Sequence, residues 1–378
     1  MENYARAARI VNLSHVADNI RAIRKLISPG AMIMAVVKAD AYGHGICEVS
    51  KAAVCAGADW LGCATVKEAL LLRGLGIETP ILVLSPVFEE EYESLIACDL
   101  ASTVCGLETC ERLSSLAGKL GKKAVVHVKI DTGMRRIGYN ALEPETALQE
   151  IAKISRLPDI AIGGMYSHFA ASDNNPDFTA EQFARFQNIA RMADACGLHI
   201  PIKHISNSGG VINHPECNLD MVRCGVLLYG LAPDSSPEGF ERLCGMGFKP
   251  PLTLKSRVSF VKTVKKGESV GYARNYFAAR DIEVASVPIG YADGISRSLS
   301  NKGRVLVNGR ICGIIGNVCM DQFMVDVTGV PAKVRDEVVL IGESGGHRMS
   351  AEDVGLLQGT INYEVATSLS LRIPACYV

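Results

Sequence analysis

From about residue 30 to residue 231, short apolar or β-branched runs alternate with longer stretches of helical periodicity, the pattern that builds parallel βαβ units. Strands are predicted at Met32–Val37, Leu61–Thr65, Ile81–Leu84, Ala101–Cys105, Ala124–Ile130, Ile160–Tyr166, Ile202–Ile205 and Asp220–Arg223. Helical periodicity fills the intervals at Ile46–Ala56, Phe88–Ala97, Glu108–Leu120, Glu145–Ile154 and Thr179–Ala195, and a helix from Ser14, as N-cap, to Ile27 precedes the first strand. Eight strands alternating with helices predict an α/β fold, a (β/α)8 barrel; the fourth and eighth units carry the weakest pattern, and an open sheet is the competing arrangement. Beyond Pro250 the texture changes to alternating strands at Thr253–Val264, Glu283–Pro288, Arg304–Val307, Arg310–Ile315, Gln322–Val327 and Glu337–Ile341, with Asn308-Gly309 as a hairpin signal. This predicts a mostly antiparallel β domain, closed by short helices at Ala351–Gln358 and Tyr363–Ser370. Residues 232–250, rich in Pro and Gly, read as the linker. The expected division is residues 10–240 for the barrel and residues 241–378, with 1–9, for the β-strand-rich domain.

Composition supports that size of assembly: 378 residues, 48% hydrophobic and 21% charged, supply enough apolar material for two cores. A formal net charge of −1 removes the electrostatic case for nucleic acid or an anionic membrane as partner and leaves small molecules. The first residues hold Arg6 and Arg9 without an apolar segment, and no stretch approaches the roughly 20 apolar residues of a membrane span, so a cytoplasmic location is expected. Thirteen scattered cysteines, an odd count, read as reduced thiols, most of them small core residues. Neither C-x-x-C nor H-E-x-x-H occurs, so no metal site is expected.

In a (β/α)8 barrel, catalytic groups gather at the C-terminal ends of the strands. Lys38 follows the first apolar run, Asp131 and Arg136 the fifth, His168 the sixth and Asn207-Ser208-Gly209-Gly210 the seventh, while Arg223 stands in the eighth. Each alone reads as a solvated or snorkelling side chain; five coinciding at one barrel end read as chemistry. A lysine closing a buried strand has its ammonium disfavoured by desolvation, which prepares an amine to attack a carbonyl. The Ser208-Gly209-Gly210 turn and Gly225 present backbone N–H groups where such barrels bind phosphate. A Schiff-base lysine facing a phosphate site is what pyridoxal phosphate requires.

The segment Ala35-Val36-Val37-Lys38-Ala39-Asp40-Ala41-Tyr42-Gly43-His44-Gly45 resembles the cofactor-lysine segment of alanine racemases. Further matches, in order along nearly the whole chain, are Lys129-Ile130-Asp131-Thr132-Gly133-Met134 through Arg136, Ser167-His168-Phe169-Ala170, Arg223-Cys224-Gly225, Tyr229-Gly230-Leu231, Gly271-Tyr272, Ile289-Gly290-Tyr291-Ala292-Asp293-Gly294, Cys319-Met320-Asp321-Gln322 and Ile361-Asn362-Tyr363-Glu364. The resemblance implies pyridoxal 5'-phosphate on Lys38, which forms the aldimine and serves as one catalytic base, with Tyr272 as the opposing base. It implies that Tyr42, Ser208, Gly225, Val226 and Tyr363 bind the phosphate, with Asn207 also in the cofactor set. Arg136 would reach the cofactor's phenolic oxygen and the substrate, Lys129 could be carbamylated and pair with that arginine, and Arg223 would face the pyridine nitrogen with His168 linking it to the network. Met320 would receive the substrate carboxylate through its backbone and Tyr291 would line the entry. It implies further a homodimer with shared sites and a role in supplying D-alanine for bacterial peptidoglycan.

Elementary chemistry agrees with these roles. Inverting a stereocentre removes a proton on one face and returns it on the other, which needs two acid/base groups. An arginine can only donate, so at a pyridine nitrogen it restrains the electron pull and favours racemisation over transamination. Departures from the family pattern are Arg9-Ile10-Val11-Asn12-Leu13, where a tryptophan and acidic residues are usual, Arg135, where glycine is common, and Asn317, where many relatives place an arginine in the access corridor near Asp173 and Arg297. The last leaves a broader alanine/serine racemase as the alternative. A non-catalytic carrier of the cofactor would lack the second domain, and a decarboxylase would want a carboxylate where Arg223 stands.

Overall fold

The computed structural model describes residues 5–378, so Met1–Tyr4, part of the expected 1–9 segment, lie outside the described residues. The chain packs as two compact units, one of Ala17–Ala41 and Ile46–Leu228, the other of the described residues up to Val16, Tyr42–Gly45 and Tyr229–Val378.

All eight barrel strands are present: Met32–Val36, Trp60–Cys63, Ile81–Val83, Ala101–Val104, Ala124–Asp131, Ile160–Tyr166, Ile202–His204 and Met221–Cys224. They pair in parallel in chain order, and the eighth returns to the first through Met221 opposite Met32 and Cys224 opposite Ala35. Asp220 N–H to Lys203 O (3.1 Å) and Arg223 N–H to Ser206 O (3.0 Å) tie the eighth strand to the seventh, so the barrel is nearly closed and the open sheet is excluded. Most residues of these strands are buried, which is why several of them read as apolar runs. The expected helices form within a residue or two, except that Phe88–Ala97 is a 3₁₀ turn at Glu89–Glu91 followed by Tyr92–Ala97, Thr179–Ala195 starts earlier, at Pro176, and Tyr363–Ser370 is the shorter Asn362–Thr367. The first helix is capped by Asn12, not Ser14: Asn12 Oδ1 accepts the N–H groups of Ser14 (3.0 Å) and His15 (3.4 Å). A further helix, Val66–Gly74, begins with a capping box in which Thr65 and Glu68 exchange bonds.

In the second unit one sheet runs in the order Phe260–Val264, Ile282–Val287, Phe323–Asp326, Arg310–Ile315, Arg304–Val307, Glu337–Ser344, Leu252–Arg257, Ala7–Val11 and Ala375–Tyr377. Every pairing is antiparallel except the last, as the alternation predicts. The run expected as one strand, Thr253–Val264, breaks at Val258 and Ser259 because the chain changes partner there, from the Glu337–Ser344 strand to Ile282–Val287. The 232–250 stretch is not plain linker: it holds the helix Pro237–Gly245, N-capped by Ser236. Of the thirteen cysteines, all free, five are buried, six half-buried and two exposed, fewer in the core than expected. No described helix is long and apolar enough to cross a membrane, and no described cluster of His, Cys, Asp or Glu has the make-up of a metal site.

Candidate active site

Lys38 follows the first barrel strand and opens the helical turn Lys38–Gly43. The next four residues, Ala39, Asp40, Ala41 and Tyr42, have φ of 54, 53, 52 and 52°, so the turn is left-handed. That region costs an L-residue roughly 1–2 kcal/mol, and four in a row store roughly 4–8 kcal/mol that the surroundings must hold. In the barrel unit Glu68 accepts the Ala39 N–H at 2.7 Å and Asp40 accepts the Ile46 N–H at 2.9 Å. In the other unit Arg9 donates to Gly43 O at 2.7 Å. Burial lowers the Lys38 ammonium pKa, the charge of Arg136 lowers it further, and Glu68 opposes both. The amine form is thereby favoured at the barrel mouth.

Arg223 is the hub of a buried polar network. Its Nη1 donates to His204 Nδ1 at 2.9 Å, and its Nη2 donates to His168 Nδ1 (3.1 Å), Ser167 O (2.6 Å) and Ile205 O (2.9 Å). A guanidinium has no acceptor, so both imidazoles accept at Nδ1 and carry their proton on Nε2. His204 Nε2 then donates to His127 Nδ1 at 3.0 Å, leaving a buried N–H at His127 Nε2 with no hydrogen-bond partner among the described residues. Burial first, and Arg223 next, hold His168 and His204 well below the ordinary histidine range and take His127 to about 3, so all three stay neutral. Burial brings Arg223 itself down only to about 10, and it remains a cation. Tyr166 stacks on His204 with ring centroids 4.8 Å apart, and Lys129 Nζ and the Arg223 guanidinium lie 5.0 and 5.1 Å from the Tyr166 ring centre. Burial, then Arg223 and Arg136, bring Lys129 to about 7, so near neutral pH a large share of it is free amine.

At the seventh and eighth strands, Asn207 caps the helix Ser208–Asn213 by accepting the Gly210 N–H at 2.9 Å. Ser208 Oγ accepts the N–H groups of Gly225 (3.1 Å) and Leu227 (3.4 Å), so Ser208, Gly225 and the Val226 turn form one patch. The barrel unit therefore contains Lys38, Lys129, Arg136, His168, Asn207, Ser208, Arg223, Gly225 and Val226 of the expected residues.

The other unit holds the remaining five. Tyr42 and Tyr363 lie with ring centroids 6.5 Å apart; burial pushes the Tyr42 hydroxyl up to about 12, and the Tyr363 hydroxyl donates to Pro233 O at 3.1 Å. Tyr272, Tyr291 and Met320 line one cleft of about 430 Å³ with Arg297 and Asn317. The Tyr291 and Ala292 N–H groups donate to Cys319 O and Met320 O, both at 3.0 Å, which locks those two segments together.

Sequence reasoning missed Glu68, His127, Tyr166 and His204. A signal existed for His127: it stands two residues before Lys129 on one strand, hence on the same face, and that face points into the barrel.

The residues 11–233 match the family described as alanine racemase, N-terminal domain, and 251–377 match alanine racemase, C-terminal domain. The alanine racemase of Methanococcus maripaludis is 41% identical over 370 residues, 97% of each chain. Among solved structures, the alanine racemase of the D-cycloserine-producing Streptomyces lavendulae superposes with a TM-score of 0.94 at 34% identity, covering 100% of this chain and 98% of that one. The alanine racemase of Bartonella henselae with covalently bound pyridoxal phosphate gives a TM-score of 0.87 at 27% identity, covering 99% of this chain and 100% of that one. With both halves of the family matched in order and the barrel-end lysine and arginines in place, the chain belongs to the alanine racemase family of isomerases.

Proposed function

We propose that this chain interconverts L- and D-alanine with pyridoxal 5'-phosphate held on Lys38. The observation that carries the proposal is the pairing, at one barrel mouth, of a lysine whose pKa is lowered by burial and by Arg136 with a buried Arg223 held by hydrogen bonds from both of its Nη atoms. The donor set fits the group: an amine for its carbonyl, the Ser208 and Gly225 patch with Asn207 and Val226 for its phosphate, Tyr42 as a hydroxyl donor to that phosphate and Tyr363 as a second on giving up its bond to Pro233 O, and two arginines for its oxygen and ring nitrogen. Residues 10–240 would form the cofactor-binding domain and residues 241–378, with 1–9, the domain carrying Tyr272 and Met320.

Bound pyridoxal phosphate supplies the electron-withdrawing ring that acidifies the substrate Cα proton. Lys38 Nζ takes or returns the proton of the D-enantiomer on one face and the Tyr272 hydroxyl that of the L-enantiomer on the other. Arg223, held by four hydrogen bonds and facing neutral histidines, stays a donor toward the ring nitrogen. Arg136 and the Met320 backbone receive the substrate carboxylate, and Tyr291 lines the way in. Lys129, in large part free amine near neutral pH and beside two arginines, is suited to add carbon dioxide with loss of one proton; the resulting carbamate anion turns two repulsive neighbours into attractive ones. Two chains would pair head to tail so that Tyr272 and Met320 complete the partner's site, in a cytoplasmic enzyme making D-alanine for the bacterial wall.

The test is to load purified protein with pyridoxal phosphate, reduce with borohydride, and incubate unreduced protein with a panel of L-amino acids read by chiral chromatography. Label on Lys38 and D-alanine as leading product, with D-serine second, support the reading; label on another lysine, or no D-alanine, overturns it. Mixing Lys38→Ala with Tyr272→Phe chains tests the shared site: recovery approaches about a quarter of wild-type activity in a two-fold dimer, and none if each chain supplies both bases.

A further inference from the structure

Tyr272 sits at the tip of a hairpin whose stem is well held. Ser269 bridges Phe277, the Val270 N–H donates to Tyr276 O at 3.0 Å, and Val270, Ala278, Ile282, Val284 and Ile315 pack as a buried cluster beneath it. The tip lies outside that cluster, tied back to the stem at Arg274, whose Nε donates to Ser269 Oγ at 3.0 Å. Gly271 through Asn275 are exposed, Tyr272 at 74%, and Ala273 and Arg274 stand at φ of 61 and 49°, a conformation that costs non-glycine residues roughly 1–2 kcal/mol each. A proton-transfer group on such a tip needs something to fix its direction.

One side chain does this. Asn317, only 5% exposed, donates from Nδ2 to Tyr272 O at 2.8 Å and accepts from Asn275 Nδ2 at Oδ1 at 2.7 Å. It therefore clamps the tip at two points three residues apart. The carboxamide is the short side chain that offers a donor and an acceptor in one rigid plane; aspartate cannot donate and leucine can do neither. The clamp is itself braced, because Asn301 accepts the Gly316 N–H at 2.7 Å and donates to Asn275 O at 3.3 Å. Two glycines permit the approach: a Cβ on Gly316 would stand 2.6 Å from Val270 O, and one on Gly271 3.2 Å from Asn317 N. Both have positive φ, 69 and 76°.

We propose that Asn317 is the positioning residue for Tyr272, holding the hairpin tip so that the phenol meets the substrate from its own face. The inference rests on the reading of Tyr272 as the base that serves the L-enantiomer. Asn317 itself touches neither substrate nor cofactor in this role, so its loss weakens one direction of proton transfer rather than both.

The experiment compares wild type, Tyr272→Phe, Asn317→Leu and Asn275→Ala, with two readouts. The first is loss of Cα hydrogen to deuterated solvent, starting separately from L- and D-alanine. Asn317→Leu is expected to slow washout from L-alanine about 10- to 100-fold, the scale of an ångström-size misplacement, while washout from D-alanine stays within about twofold. Asn275→Ala, an exposed change that leaves the core untouched, lowers the same side by less. The second readout is deuterium uptake of residues 271–276 in the cofactor-free protein, which rises in both asparagine variants while the rest of the sheet is unaltered. Equal loss from both enantiomers, intact L-alanine washout, or unchanged uptake at the tip overturns the positioning role. If Tyr272→Phe retains L-alanine washout, the assignment of Tyr272 fails and the positioning role of Asn317 falls with it; a selective loss in Tyr272→Phe without one in Asn317→Leu overturns this inference alone.

Discussion

Glu68→Ala should loosen the lysine turn and the following helix together. The Glu68 carboxylate accepts three backbone N–H groups: Ala39 at 2.7 Å, Ala64 at 2.8 Å and Thr65 at 3.2 Å. The last two belong to the start of the helix Val66–Gly74, where losing such a capping residue costs about 1 kcal/mol. The first ties down a left-handed turn that stores several kcal/mol, and an exposed N–H that rehydrates after losing a charged acceptor costs about 1 kcal/mol more. Urea unfolding followed by circular dichroism should therefore put Glu68→Ala about 2 kcal/mol below wild type, with Glu68→Gln, which keeps one neutral acceptor, near half of that. The same carboxylate raises the Lys38 pKa against burial and Arg136, so both variants should move the midpoint of Lys38 amine reactivity to lower pH in the cofactor-free protein. That midpoint is read by modification with an amine reagent over a pH series and mass spectrometry of the Lys38 peptide. A variant within about 0.5 kcal/mol of wild type, or a midpoint that moves up, would refute the coupling of this cap to the lysine.

Lys129 holds fewer protons folded, near 7, than unfolded, near its reference of about 10.4, so in carbonate-free buffer stability should rise with pH between those values; Lys129→Met should flatten the rise, and an unaltered slope speaks against a buried amine. Gly316→Ala places a Cβ 2.6 Å from Val270 O at a φ of 69°, and thermal unfolding should show a loss of roughly 2–3 kcal/mol; an unchanged midpoint would mean the close approach is not there. Arg135, at φ 58°, a conformation glycine adopts without strain, should be slightly stabilising when replaced by glycine, by up to about 1 kcal/mol after the entropic cost and the exposed bond to Asn140 are subtracted; clear destabilisation in urea would show the arginine to be preferred there.

The barrel was legible because most of its strand residues are buried, so Met32–Val36, Ile81–Val83 and the start of Ala124–Asp131 appear as apolar runs, and the chemistry stands at or near the strand ends in Lys38, His168 and Arg223. Two local signals were present but outweighed: Ser236-Pro237 opens a helix inside a stretch whose Pro and Gly content reads as linker, and Thr65-x-x-Glu68 is a capping box. The strands Ala7–Val11 and Ala375–Tyr377 are too short for their pattern to stand out, and they exist because each finds a partner far along the chain.

Which segments are buried, their period, and the identity of the groups at the strand ends follow from local hydrophobic pattern and side-chain chemistry, and can be read along the chain. How those groups act depends on contacts between segments far apart in it. Of Ala39-Asp40-Ala41-Tyr42 only Asp40 is of a type that visits the left-handed region with any frequency, and the turn holds through bonds to Glu68 and other distant residues. His127, His204 and Arg223 are ordinary polar residues until barrel closure aligns them, when the donor-only guanidinium sets every tautomer in the row. Asn317 likewise became a clamp for Tyr272 only when two glycine turns, 45 residues apart, brought their backbones together. A hydrogen bond between distant residues depends on distance and direction in space, which a local pattern does not encode.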